Sequence, residues 1–418
     1  MYYRQAFATR LNSEGTGPQT IQVDNGAGQR LGFAPSAMII TVTEQATDTG
    51  GSNCLNHSTG VTDGTLSRVI SHRSENGITT VTNAALYTDD GFVVYVKTNG
   101  TNVTGSSGDA TLTSFNATDS VTINWGTTVA LDCRIKVEFF YLEAGEEVSA
   151  DFNLYTATVF TTGFRPSFTL HWECYAGSPT SASNRPDTKM NVGMSAEDEF
   201  STIDQFSHKL FSNDGDSTSN VRECLTTSDI QCGEAYNQRR NVTYQADDTG
   251  YTLNQVAGGV ISSMTLAVKC TNKVKLVRGS YNTANQTITG AGFTPGAVIM
   301  NMSTTTTTNA GVLSGGGSIT RGCYDGYESI LDYAFESDSV ATTVTDAFIN
   351  TGKLFRAEEP SGTKWAGGFN AFTADGMTTT TTTTAAKGSG YIALFIEELA
   401  APAGISIPVV YHHRQRNV

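Results

Sequence analysis

Three copies of one short pattern constrain this chain more than any other feature in it: Gly-Phe-x-Pro leading into an apolar run. The copies are Gly32-Phe33-Ala34-Pro35 into AMIITVT, Gly163-Phe164-Arg165-Pro166 into FTLHWEC, and Gly292-Phe293-Thr294-Pro295 into AVIMNMS. The phenylalanines stand 131 and 129 residues apart, which divides the 418 residues into three repeats. Each residue type has a physical task. Glycine permits the tight turn. The residue before proline is pushed to extended geometry, and proline, lacking an N–H, suits the first position of a strand. Phenylalanine plugs the core beneath the turn, so Phe33, Phe164 and Phe293 are expected to be buried at matching positions.

Two further signals recur. Asp90-Gly91-Phe92, Asp248-Thr249-Gly250-Tyr251 and Asp375-Gly376-Met377 are tight-turn sequences, each followed by a β-prone stretch. The first lies 57 residues after its phenylalanine, whereas the others lie 84 and 82 after theirs. Each repeat closes on a strand-like run, Ile135 to Tyr141, Met264 to Cys270 and Tyr391 to Ile396, and the last two are apolar on both faces, as in central sandwich strands. The expected fold is all-β: three tandem antiparallel, jelly-roll-like β-sandwich domains at 1–148, 149–272 and 273–400, joined side by side by short polar segments, with an extended arm at 401–418. Only Ala196 to Leu210 and Tyr327 to Phe335 read as helical.

Chemistry is harder to find. The chain contains no nucleophile elbow, phosphate-binding loop, zinc-protease motif or dinucleotide fingerprint, so an enzyme and a cofactor are not expected. His171 falls in a core strand and reads as structural. His208 with Cys224 and Cys232 lacks zinc-ligand spacing. Asp214-Gly215-Asp216 has half of a calcium loop and reads as a turn, and Glu197-Asp198-Glu199 reads as a solvated acidic surface. Trp125, Trp172 and Trp365 are not at equivalent repeat positions, which argues against a repeated sugar platform. Trp365, in the loop-like KWAGGFNAF, is the one surface-contact candidate.

Lys and Arg number 26 against 40 Asp and Glu, a net charge of −14, which argues against nucleic acid as a partner. No run of 18 apolar residues is present for membrane insertion, and the opening MYYRQAFATRLNSEG lacks the apolar core of a signal peptide. The 7 cysteines are scattered and odd in number, as expected of free thiols made in a reducing cytoplasm. In the arm, Pro402 and Pro408 bar a helix. Ile405, Ile407, Val409, Val410 and Tyr411 offer apolar surface, and Arg414 and Arg416 make a basic end. This composition predicts an assembly anchor.

With ITGAGFTPGAVIM (288–300) opening a repeat and GYIALFIEE (390–398) closing it, the chain resembles β-sandwich modules of tailed-bacteriophage virion proteins. The likeness spans roughly residues 19–399 and carries over no active-site residue. It implies a virion location and a non-enzymatic structural role as fibre, head appendage or decoration subunit. The partners it implies are further copies of the chain, a trimer first, and other virion proteins. The alternative it implies is a receptor-binding adhesin for host surface glycans.

Overall fold

Strand order, read along the chain in a computed structural model, returns three times. The structure describes residues 1–23, 31–44, 54–75, 83–88, 91–97, 106–154, 158–174, 183–184, 187–198, 201–213, 221–225, 242–255, 262–281, 284–304, 311–312, 316–337, 345–359, 362–383 and 389–397.

The first unit contains β1 (Tyr2–Arg10), β2 (Gly17–Gln22), β3 (Ala37–Glu44), β4 (Cys54–Thr62) and β5 (Ser67–Glu75). It continues with β6 (Asn83–Thr88), β7 (Phe92–Lys97), β8 (Ser106–Asn116), β9 (Ser120–Thr127) and β10 (Cys133–Tyr141). These form one sheet in the order β1-β10-β3-β4-β5-β6 and a second in the order β2-β9-β8-β7.

The second unit contains β11 (Glu147–Leu154), β12 (Thr158–Thr161), β13 (Phe168–Cys174), β14 (Ser183–Asn184) and β15 (Asp187–Glu197). Then come β16 (Ile203–Asn213), β17 (Val221–Leu225), β18 (Val242–Asp247), β19 (Gly250–Gln255) and β20 (Ser262–Lys269). Its sheets run β11-β20-β13-β15-β16-β17 and β12-β19-β18.

The third unit contains β21 (Val274–Tyr281), β22 (Thr287–Thr289), β23 (Pro295–Ser303), β24 (Gly311–Val312), β25 (Gly316–Tyr324) and β26 (Ser329–Ser337). It ends with β27 (Thr345–Thr351), β28 (Phe355–Glu359), β29 (Gly362–Thr373), β30 (Gly376–Thr383) and β31 (Ser389–Glu397). Its sheets, β21-β31-β23-β25-β26-β27 and β22-β30-β29-β28, repeat the first unit strand for strand.

All pairings among the described residues are antiparallel, and the fold is all-β. The opening and closing strands cross between the two sheets as in a jelly roll. The middle strands do not: they run as two plain meanders. Units also extend one another's sheets, because β14 adds to the edge of β6 and β24 adds to the edge of β17.

Alternation along the central strands divides the core. Met38, Ile40 and Val42 of β3 pack inside the first unit with Ile123 and Trp125. Ala37 and Ile39 point the other way, into an apolar cluster that draws on all three units. In β31, Tyr391, Ala393 and Phe395 face their own unit, while Ile392, Leu394 and Ile396 join the shared cluster. The larger sheets are therefore buried on both faces, which explains why their sequences are apolar on both.

Several expectations are corrected. The two helical candidates fall on β15–β16 and β26. Their apolar residues alternate, with Phe206 and Leu210 on the shared-core face of β16 and Leu331 and Tyr333 on one face of β26. Phe164 is 3% exposed, but Phe33 is 37% exposed and Phe293 half-buried. Phe33 lies edge-on against Tyr2 and Tyr141, covering the end of the sandwich without entering it. Pro295 begins β23 as expected, whereas Pro35 and Pro166 stand two residues before their strands. Trp365 belongs to strand β29, paired with Ala357, and not to a loop.

Candidate functional site: the contacts that join the units

At the Gly-Phe-x-Pro corners, Gly32, Gly163 and Gly292 have φ of +80°, +84° and +76°, the left-handed region that glycine occupies without strain. Asp119 accepts hydrogen bonds from the Leu31 and Gly32 N–H groups at 2.9 and 2.7 Å. Asp375 does the same for Gly290 and Gly292 at 3.1 and 2.7 Å. In the second unit a backbone carbonyl substitutes, Gly163 N–H donating to Thr249 O at 3.0 Å. The first repeat's turn is therefore the one at Asp119, 86 residues after Phe33, and not the one at Asp90, which lies outside the described residues. We expect Asp119→Ala, which leaves two part-buried N–H groups unpaired, to cost about 1–3 kcal/mol, read as a lower denaturation midpoint.

A second aspartate position links the units in a ring. Asp63 caps the β4–β5 turn by accepting from Thr65 and Leu66 N–H, and its other oxygen accepts from Ala150 N–H on β11 at 3.0 Å. Asp325 caps the β25–β26 turn through Tyr327 and Glu328 N–H and accepts from Gln5 N–H on β1 at 2.9 Å. Asp198 caps the β15–β16 turn through Thr202 N–H and holds Lys275 Nζ of β21 at 3.0 Å. The first unit thus grips the second, the second the third, and the third the first. The expected solvated acidic run is accordingly corrected: Asp198 joins two units, and Glu197 holds Arg165 of the Gly-Phe-x-Pro turn by two bonds of 2.8 and 2.7 Å.

The two chain joints meet at the first residue as well. The Met1 ammonium donates to Glu146 Oε1 at 2.7 Å and to Asn272 Oδ1 at 2.9 Å. Glu146 also accepts from the N–H groups of Glu143 and Thr271. Burial alone would raise its pKa, but these bonds hold the carboxyl below the ordinary glutamate value.

Between the first and third units lies a cluster of buried charges. Lys136 Nζ contacts Asp332 Oδ1 at 2.7 Å, Glu138 Oε1 at 3.2 Å and the Arg321 carbonyl at 2.9 Å. Arg321 binds Glu138 through Nη2 and Nε at 2.6 and 3.2 Å. Tyr3 donates to Glu138 Oε2 at 2.8 Å, and His57 Nε2 lies 3.2 Å from Asp332 Oδ2. The Arg321 guanidinium sits over the Trp172 ring of the second unit at 5.3 Å, so all three units meet here. Burial opposes every charge, yet the partners prevail. Arg321 and Lys136 keep Glu138 below the usual carboxylate range, Lys136 does the same for Asp332, and Asp332 holds Lys136 above the ordinary lysine value. Burial pushes the neighbouring Cys323 thiol up to about 12 and the Tyr3 phenol well above its ordinary value. These two groups are thus held protonated at neutral pH, and the cluster's chemistry is to fasten one unit to another.

Ladder register shows how unusual this is. Counting from the pairs Ala37–Phe140, Phe168–Val268 and Ala297–Ile396, the positions of Lys136 and Glu138 carry Met264 and Leu266 in the second unit and Ile392 and Leu394 in the third. Linkage gives the expected pH response. Glu138 and Asp332 lend stability above ordinary carboxylate pKa values of about 4 and lose it as pH falls through their depressed values. Lys136 lends stability below about 10.4 and loses it as pH rises further. The melting midpoint should be flat between about pH 7 and 8.5 and fall on either side, the acid decline beginning where His171, neutral when buried, becomes protonated in the unfolded chain below its ordinary value of about 6.5. Asp151 and Asp325, whose carboxyls burial pushes up, act in the opposite direction in acid.

The cysteines Cys133, Cys270 and Cys323 are free, and His171 is buried with its Nδ1 2.6 Å from Thr265 Oγ1. Burial lowers the His171 pKa to about 3, so it is neutral. Cys232, Asp214 to Asp216, and the arm with Ile405, Ile407, Val409, Val410, Tyr411, Arg414 and Arg416 lie outside the described residues, as does the Trp365 side chain. The hairpin aspartates were missed in the sequence, although Asp63-Gly64-x-x-Ser67 and Asp325-Gly326-x-x-Ser329 share one pattern 262 residues apart. Compared with protein-family models, curated proteins and solved structures, the chain matches none.

Proposed function

We propose that this chain is a non-enzymatic structural subunit of a tailed-phage particle, a fibre, head appendage or decoration protein that works by being a rigid body. The observation that carries this reading is the closed ring of hairpin aspartates around one shared apolar core. The sequence likeness supplies the phage context. Its opening and closing lines are neighbours in space, β23 pairing β31 with Val298 opposite Phe395. On its sequence, the arm is the anchor to other virion proteins.

Quantitative mass spectrometry of purified particles should find tens to hundreds of copies, and free protein should leave infection unchanged. A few copies per particle together with blocked infection would favour the glycan-binding adhesin, and absence from particles would sink both. Truncation after Leu399 should preserve the thermal melt and abolish incorporation into particles. Wild-type occupancy by the truncated chain would remove the arm from the proposal.

A further inference from the structure

We infer that the face of the first unit bearing Lys136 and Glu138 is a docking surface that accepts the third unit of a second copy of this chain, giving unit-exchanged oligomers. The inference stands whatever particle the protein serves. Two of the three interfaces are tied covalently: residues 142–146 join β10 to β11, and residues 270–273 join β20 to β21. The first and third units have no such joint, and every contact across their seam is non-covalent. Besides the buried charges, Arg4 lies over Tyr327, Asp325 accepts from Gln5 N–H, and Arg134 donates to the Ile349 carbonyl.

A second copy presents an identical third unit. The one thing that favours closure within a chain is the higher effective concentration of its own third unit. Exchange of an element between identical chains recreates the native contacts outside the joint that opens, and a short joint such as 270–273 invites it. The charges choose the occupant. A second unit offered to this face would set Val192 and His208, its residues at the ladder positions of Arg321 and Asp332, against Lys136 and Glu138. That would bury Lys136 and Glu138 with only each other and Tyr3 as partners. Only a third unit supplies both counter-charges.

The test uses two charge-reversed full-length chains. In Glu138→Arg the seam carries cations on both sides, and in Arg321→Glu it carries carboxylates on both sides. Neither ring can close on itself, but across the two chains every seam is complementary. Refolded separately, each variant should lose the compact monomer peak in light scattering coupled to size exclusion. Refolded as an equal mixture, the two should give a species of twice the monomer mass that contains one copy of each by native mass spectrometry. The double variant carrying both changes in one chain should return to a monomer. If either single variant is insoluble alone, the pair is produced together with different tags, and co-elution of the two chains is the expected result. A mixture or co-production with no two-chain species overturns the inference, and so does a single variant that remains a compact monomer with the wild-type melting midpoint.

Discussion

Glu138→Ala should lower stability by about 3–5 kcal/mol, because it leaves the Arg321 guanidinium buried and unmatched. Arg321 is 2% exposed, and two of its nitrogens bind Glu138. Truncation also strips Tyr3 of its acceptor and Lys136 of one of its two carboxylates. The contrasting variant replaces all four charges with residues that the equivalent positions of other units already carry: Lys136→Met, Glu138→Leu, Arg321→Val and Asp332→Ile. Removing both sides of a buried ion network is often neutral, or stabilising by about 1–4 kcal/mol, so this variant should melt at or above the wild-type midpoint. It should also lose the acid and alkaline declines that the four charges cause. Denaturant titrations of the two variants side by side decide the matter. If the single truncation is harmless, the network does not hold the seam.

Alanine at Gly322 should be the most damaging small substitution in the third unit. The glycine lies in β25, and a Cβ placed on it would land on the Leu354 carbonyl, just ahead of β28. Gly60 in β4 meets the Val93 carbonyl of β7 in the same way. Both stand opposite the fifth residue after the Gly-Phe-x-Pro proline, Met300 and Ile40, as Gly193 stands opposite His171. Backbone cannot rotate aside as a side chain can, so the two sheets must separate locally. Overpacking of this kind costs about 1–3 kcal/mol and sometimes more. Either variant should show a lowered midpoint and faster amide exchange in β7 or β28, and unchanged exchange there would refute the close approach.

Much of the architecture was legible in the sequence, because the turn glycines and closing strands repeat at nearly constant spacing. What stayed hidden did so for physical reasons. An apolar second face reads the same whether it packs against a partner sheet or against neighbouring units, so the shared core at Ile39, Leu170 and Ile299 could not be told from a sandwich interior. Asp119 was overlooked because no glycine follows it. It holds a positive φ of 56° itself, a conformation that aspartate tolerates. The strand at Ile203 to Asn213 was obscured because polar Ser207 and His208 are buried in it beside Phe206 and Leu210. The seam charges were invisible as a group, since Lys136 and Glu138 meet Arg321 and Asp332 only after the chain has come full circle.

That closure has a consequence for the order of events on the ribosome. The first unit is finished long before the third emerges, and at ~5–20 residues per second the strand β10 waits on the order of ten to forty seconds for its partner. During that interval the part of the first unit's sheet that carries Lys136 and Glu138 lacks the third unit that covers it in the finished body. Were it lined like its counterparts, with Met and Leu or Ile and Leu, it would be a sticky surface among other nascent chains. Lys136 and Glu138 keep it hydrated until Arg321 and Asp332 arrive. The residues that fasten the finished body are the same ones that protect its earliest part while synthesis is still under way.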